Sequence, residues 1–166
     1  MSTSAVLQSI NKIFINQAII AGGYVRDVAL GIQPKDVDIF VCGRYGQHQQ
    51  AQLIANGWEQ KKKPTYNSIA CISAMFEKQG EELPLQLMVT SVSPLVVVND
   101  YFDWGICKCW ASEKGDPLFT KQFLEDVRTE TLTLHYNEAY HNPYTVLAHG
   151  QRLQKKFPDY ETRIVW

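Results

Sequence analysis

Between Ala21 and Val41 the chain reads AGGYVRDVALGIQPKDVDIFV, a stretch that gathers residue types suited to a phosphorylated substrate and a metal ion. Gly22 and Gly23 close a short apolar run and lead into a helix. Without Cβ atoms, two glycines let the backbone approach a bulky anion, and the free N–H groups of the helix start favour negative charge. Arg26 follows with a planar fork of donors matched to phosphate oxygens. Asp36 and Asp38 are one residue apart on the next strand, so both carboxylates leave the same face. Two adjacent carboxylates repel, and one pKa rises. A divalent cation removes that conflict, and a hard ion such as Mg²⁺ is held by one or two carboxylates plus substrate phosphates. A triphosphate cradle beside a carboxylate pair is what metal-assisted nucleotidyl transfer requires. Taken singly, a Gly-Gly is a turn, D-x-D is a solvated strand face, and Arg26 with Asp27 is an exposed ion pair. Their joint order from Gly22 to Asp38 is the informative feature.

The elements that must position these residues follow from hydropathy patterning. Ser4 caps a helix carrying Val6, Leu7, Ile10, Ile13 and Phe14 at helical spacing. A buried strand over 18–21 precedes the glycines, a helix spans 24–30 with Gly31 after it, and alternation predicts a strand over 36–41. A helix over 47–55 stops at Gly57, and strands over 58–63 and 68–76 flank a turn at 64–67. A strand at 83–90 leads to a helix that Ser93-Pro94 opens and that runs to about Tyr101. Next come a strand over 105–111, a polar turn over 112–116, a helix over 121–128 and a strand over 131–136. Asn142-Pro143 caps a final helix that ends near Phe157. Strands and helices mix without strict alternation, which predicts an α/β (α+β) fold with a mixed sheet flanked by helices.

Composition bounds the reading. At 166 residues and 45% hydrophobic, the chain is long enough for one domain with its own core and too apolar for disorder. Its longest uninterrupted apolar run, Leu95-Val96-Val97-Val98, is far short of the roughly 20 residues of a membrane helix, and no secretory signal opens the chain. The expectation is a soluble, cytoplasmic protein without a membrane partner. Cys42, Cys71, Cys107 and Cys109 read as thiols in a reducing compartment, with Cys107 and Cys109 on one face of a strand. A formal net charge of −1 excludes a broad basic surface, so any polynucleotide is gripped locally. His48, His135, His141 and His149 lack metal-ligand spacing, and Trp58, Trp104 and Trp110 read as core.

The stretch Gly22-Gly23-Tyr24-Val25-Arg26-Asp27, then Leu30-Gly31, then Asp36-Val37-Asp38-Ile39, resembles the signature of the DNA polymerase β-type nucleotidyltransferase superfamily. Within it, the resemblance is to class II tRNA nucleotidyltransferases (CCA-adding enzymes) and bacterial poly(A) polymerases. It implies that Gly22, Gly23 and Arg26 contact an incoming triphosphate and that Asp36 and Asp38 ligate Mg²⁺ or Mn²⁺. Asp27 would fix the helix start and the geometry of Arg26. The segment Asn99 to Cys107 occupies the place of the family's sugar-binding segment, with Asp103 or Asp100 as its polar anchor and without the family's two arginines. His141 to Leu147 resembles the opening of the family's neck helix with Thr145 in place of arginine. The chain then divides into a catalytic head over 1–141 and a helix over 142–166 resembling the start of a neck. Many superfamily members carry a third carboxylate on a neighbouring strand, where this chain has Gln86.

The resemblance implies a minimal enzyme that moves a nucleoside monophosphate from an NTP to an acceptor hydroxyl. An RNA 3′ end is favoured over a protein side chain or a small molecule. The rival reading is a non-catalytic nucleotide-binding or protein-interaction module that keeps the fold.

Overall fold

Short β-branched and apolar runs build the sheet that carries Asp38. The computed structural model describes residues 3–13, 18–43, 46–62, 65–66, 72–112 and 114–166. Strand β1 (Ala18–Ile20) pairs antiparallel with β2 (Val37–Cys42), and β2 runs parallel to β6 (Leu85–Thr90). Strand β5 (Ile72–Glu77) pairs antiparallel with β6, and β3 (Glu59–Gln60) and β4 (Thr65–Tyr66) both pair antiparallel with β5. The order β1-β2-β6-β5-β3 mixes both pairing senses, as the sequence predicts.

Period-2 alternation gives this sheet two faces. Val37, Ile39 and Val41 of β2 join Ile20, Leu85, Leu87 and Phe76 in the main core. Helices α1 (Thr3–Asn11), α2 (Gly23–Ala29) and α3 (Gly46–Ala55) add Ile10, Val25 and Leu53 to that core. Asp38 and Phe40 alternate with these and face the other way. There, a single α-helical turn, α4 (Pro94–Val96), continues as a π-helical turn, Val97–Tyr101, that buries Val97 and Val98 with Phe40. The sequence predicts one regular helix here. The wider turn, closed by the Phe102 N–H on the Val97 carbonyl at 3.0 Å, delivers the Phe102 ring to Phe40 with centroids 5.5 Å apart.

The C-terminal half adds strands β7 (Cys109–Ala111) and β8 (Pro117–Phe119), helix α5 (Lys121–Thr129), strand β9 (Thr131–His135), helix α6 (Pro143–Lys156) and strand β10 (Glu161–Val165). The Asn142 side chain accepts from the Tyr144 and Thr145 N–H groups, with Pro143 at the first helical position, which is the predicted cap. Val146, Leu153 and Phe157 place α6 and the turn after it in the same core cluster as the sheet.

Three local expectations change. The strand predicted over 105–111 is a 3-10 turn, Gly105–Cys107, followed by β7, so Cys107 and Cys109 do not share one strand face. At Gly105 a Cβ would come within 2.7 Å of Asp126 Oδ2, and this close approach bends the chain where a straight strand would run. Thr65 and Tyr66, assigned to a turn, pair with Ser73 and Ile72, and the strand predicted at 58–63 forms at Glu59–Gln60, with the Lys61 N–H donating to the Met75 carbonyl at 2.9 Å. Strands β8 and β10 carry no alternation signal: every residue of β10 is exposed, and it is recruited by parallel pairing with β9. Residues 67–71 (with Cys71) and Phe14 lie outside the described residues.

Helix α6 is seated through Gly150, where a Cβ would clash with the edge of the Trp104 ring. The Trp104 indole also donates to the Val146 carbonyl at 3.2 Å. Gly150→Ala should therefore lower stability by about 1–3 kcal/mol in chemical denaturation, even though alanine is the better helix former by about 1 kcal/mol.

Candidate active site

The glycine turn is pinned between two strands. The Ala21 N–H donates to the Asp38 carbonyl at 3.2 Å, and the Gly22 N–H donates to the Cys109 carbonyl at 2.9 Å. Gly22 has φ +77°, a region L side chains rarely adopt, and a Cβ there would meet the Phe102 ring at 3.4 Å. The turn therefore sits directly beside the backbone of Asp38. In the parallel register Asp38 lies opposite Gln86, whose amide donates to Ser73 Oγ at 2.7 Å. An uncharged side chain thus occupies the neighbouring position on the acid face. Burial and then the Asp36 carboxylate push the Asp38 carboxyl up to about 7, with His149 and Arg26 acting against them. Asp36 precedes β2 and is partly exposed.

Arg26 is buried, 5% exposed, and its fork faces inward. Nε donates to Asp27 Oδ1 at 2.7 Å, Nη2 pairs with the same oxygen at 2.7 Å, and Nη1 donates to Cys107 Sγ at 3.2 Å. The guanidinium lies 5.7 Å from the Phe157 ring centroid and beneath Gly23, whose Cβ would be 3.6 Å from Nη2. The other Asp27 oxygen, Oδ2, accepts from Lys156 Nζ at 2.5 Å. Asp27 thus joins the motif helix to the end of α6. Arg26, at the position expected to meet a triphosphate, supports the turn from below.

Asp103 reaches the site through a histidine absent from the sequence-based candidates. Its Oδ1 accepts from the Trp104 N–H at 2.9 Å, and its Oδ2 pairs with His149 Nδ1 at 3.1 Å. His149 Nε2 lies 3.8 Å from Cys107 Sγ. Burial lowers the His149 pKa, but the Asp103 and Cys107 side chains outweigh it and push it up to about 10, so the ring is cationic at neutral pH. The structure thus brings Gly22, Gly23, Arg26, Asp36, Asp38 and Asp103 to one end of the sheet and adds His149 and Cys107. No local pattern marks these two, because α6 and the 3-10 turn meet only in the folded chain. Asp100, the alternative anchor, is exposed.

Among the described residues, no group of three or more His, Cys, Asp or Glu is arranged to hold a metal ion. The carboxylates expected to meet a metal are Asp36 and Asp38, and a hard divalent cation would relieve the Asp36 repulsion that adds to burial in raising the Asp38 pKa. A cavity of about 370 Å³ lies elsewhere, lined by Val37, Tyr24, Val6 and Trp58 on the core side of β2. No helix among the described residues is long and apolar enough to cross a membrane.

Solved structures share this fold. A CCA-adding enzyme in complex with ATP matches with TM-score 0.70 at 16% identity, over 96% of this chain and 38% of that one. A CCA-adding enzyme in complex with CTP matches with TM-score 0.69 at 17% identity, over 98% of this chain and 39% of that one. The Thermotoga maritima CCA-adding enzyme complexed with tRNA matches with TM-score 0.62 at 17% identity, over 98% of this chain and 38% of that one. The chain spans about two fifths of the length of these structures. No curated protein matches the sequence. A family model described as Gabija anti-defense 2 family protein matches residues 2–130.

Two predictions follow from the charges. Between its ordinary value of 3.8 and about 7, Asp38 holds a proton in the folded protein that the unfolded chain has lost, so stability falls as pH rises through that window. His149 contributes stability that is full below its ordinary value of 6.5 and is lost as pH rises through about 10. The unfolding midpoint of EDTA-treated protein should decline through both windows, Asp38→Asn flattening the acidic limb and His149→Ala the alkaline one. Asp27→Ala leaves the buried Arg26 charge and Lys156 without their shared carboxylate and should cost about 3–5 kcal/mol in urea unfolding.

Proposed function

The chain belongs to the Gabija anti-defense 2 family, and from that premise we propose that it is a metal-dependent nucleotidyltransferase. It would transfer a nucleoside monophosphate from an NTP to an acceptor hydroxyl, an RNA 3′ end first among candidates. The observation that carries this reading is the acid pair lying directly beside the glycine turn: Ala21 is hydrogen-bonded to the backbone of Asp38, and Asp38 is electrostatically coupled to Asp36. The shared fold with CCA-adding enzymes that were captured with ATP and with CTP supports it.

In this reading Gly22 and Gly23 admit the triphosphate, because no Cβ stands between the backbone and the phosphate oxygens. Arg26, fixed by Asp27 and Cys107, adds positive potential beneath the turn. Asp36 and Asp38 would hold Mg²⁺ or Mn²⁺, which when bound supplies positive charge for the phosphate oxygens and the acceptor hydroxyl. Asp103 borders the site from the segment after the π-helical turn, paired with His149. The acceptor hydroxyl would release its proton to water as its oxygen bonds to the α-phosphorus, the bond to the α–β bridging oxygen breaks and pyrophosphate leaves. The family's description suggests that this chemistry is used against Gabija defence. A second reading, a nucleotide-binding module without turnover, draws on Gln86 standing opposite Asp38 and on the inward engagement of Arg26.

Label transfer separates the two. Wild type given each α-labelled NTP with Mg²⁺ or Mn²⁺, total RNA and a protein lysate should yield labelled product that an Asp36→Asn/Asp38→Asn variant does not. Migration of the label with RNA, protein or small molecules names the acceptor. A folded wild type that binds NTP and labels nothing leaves the binding module as the function.

A further inference from the structure

A triphosphate at the glycine turn needs a cation that faces it, and Arg26 is 5% exposed with Nε, Nη1 and Nη2 all engaged. Lys156 is bound to Asp27. Besides Arg26, the cation acting on Asp38 is His149, and its side chain is 29% exposed against 6% for Arg26. Asp103 grips His149 Nδ1 at 3.1 Å and is itself held by the Trp104 N–H at 2.9 Å, so the orientation of the ring is fixed. Among the described residues its Nε2 has only the long thiol contact at 3.8 Å, which a phosphate oxygen, as a far stronger acceptor, would displace.

We propose that His149, oriented by Asp103, is the phosphate-binding cation of this site, its Nε2–H meeting the triphosphate and the pyrophosphate it becomes. The assignment rests on the nucleotidyltransferase reading. The groups that face His149 are Asp103 and Cys107, with Asp38 within electrostatic reach, and the first two keep the ring charged at neutral pH. Unlike Arg26 and Lys156, which are turned onto Asp27, His149 leaves a ring nitrogen with no strong acceptor among the described residues. Helix α6 lies beyond residues 2–130, so the cation comes from outside the family-matched segment. Asp103 is then a positioning residue, and its anchoring role replaces the direct contact to the nucleotide sugar implied by the family resemblance.

Calorimetric titration of wild type, His149→Ala, His149→Lys and Asp103→Asn with ATP, ADP, AMP and pyrophosphate in Mg²⁺ tests this. His149→Ala should weaken ATP and pyrophosphate binding by about tenfold or more, with a loss that shrinks from ATP through ADP to AMP. His149→Lys should recover most of it, and Asp103→Asn should fall between. Unchanged ATP and pyrophosphate affinity in His149→Ala overturns the proposal, as does an equal loss for ATP, ADP and AMP, which marks a structural role. Should His149→Ala not fold, Asp103→Asn and His149→Lys carry the same comparison. Label transfer by wild type that survives in His149→Ala with unaltered affinity sinks this assignment alone. The phosphate-graded loss in a wild type that transfers no label sinks the catalytic reading and keeps the assignment. A wild type that binds neither ATP nor pyrophosphate overturns both.

Discussion

The Asp27 carboxylate is the point at which the motif and the rest of the chain are tied together. One oxygen takes Arg26, the other takes Lys156 from the last turn of α6, and the whole group is buried. A carboxylate in that setting is stable only while both cations stay in place, because an unpaired buried charge costs several kcal/mol. The ion triad therefore holds the glycine turn, α2 and α6 in one arrangement. Phe157 closes it by lying against the Arg26 guanidinium. The same arrangement puts Cys107 on Arg26 and His149 beside Cys107, so the interior of the site inherits its geometry from Asp27.

Around that tie, positions that demand small residues set the shape. Gly22 takes a positive φ against Phe102, Gly105 admits the Asp126 carboxylate, and Gly150 admits Trp104. Each marks a close approach between segments distant in sequence. The π-helical turn belongs to the same logic, since its wider pitch turns Phe102 onto Phe40 and the turn at Gly22. What results is a site with two electrostatic halves. Asp38 on β2 and Asp36 just before it form the acidic half, and the His149–Asp103 pair forms a polar wall contributed by α6 and the segment after the π-helical turn.

The chain spans about two fifths of the length of its structural neighbours. The neighbours share the fold at 16–17% identity, a level at which the sheet order is retained and side chains are free to be exchanged. In this chain the position in register with Asp38 is the uncharged Gln86. A histidine reaching the site from α6 is a second feature of this chain, and uncharged Gln86 and His149 both leave the site more positive than a third carboxylate would.

The sequence by itself determined the elements whose signals are local. The run of Ala18 to Gly23, the alternation through Val41 and the cap at Asn142-Pro143 each depend on neighbours a few residues away, and those elements form as their pattern predicts. The juxtaposition of Gly22, Gly23, Asp36 and Asp38 was legible for the same reason, being confined to a turn, a short helix and one strand. Tertiary structure alone decided what Arg26 touches, because its partners include Cys107 and, through Asp27, Lys156, which no spacing rule links to it. It also decided the bend at Gly105, where packing against Asp126 outweighs the strand propensity of the residues that follow. His149 entered the site in the same way: it is one exposed-looking histidine on an amphipathic helix until Trp104 and Gly150 seat that helix against Asp103. Side-chain partnership across the fold is set by packing, and packing carries no short-range signature in a single chain.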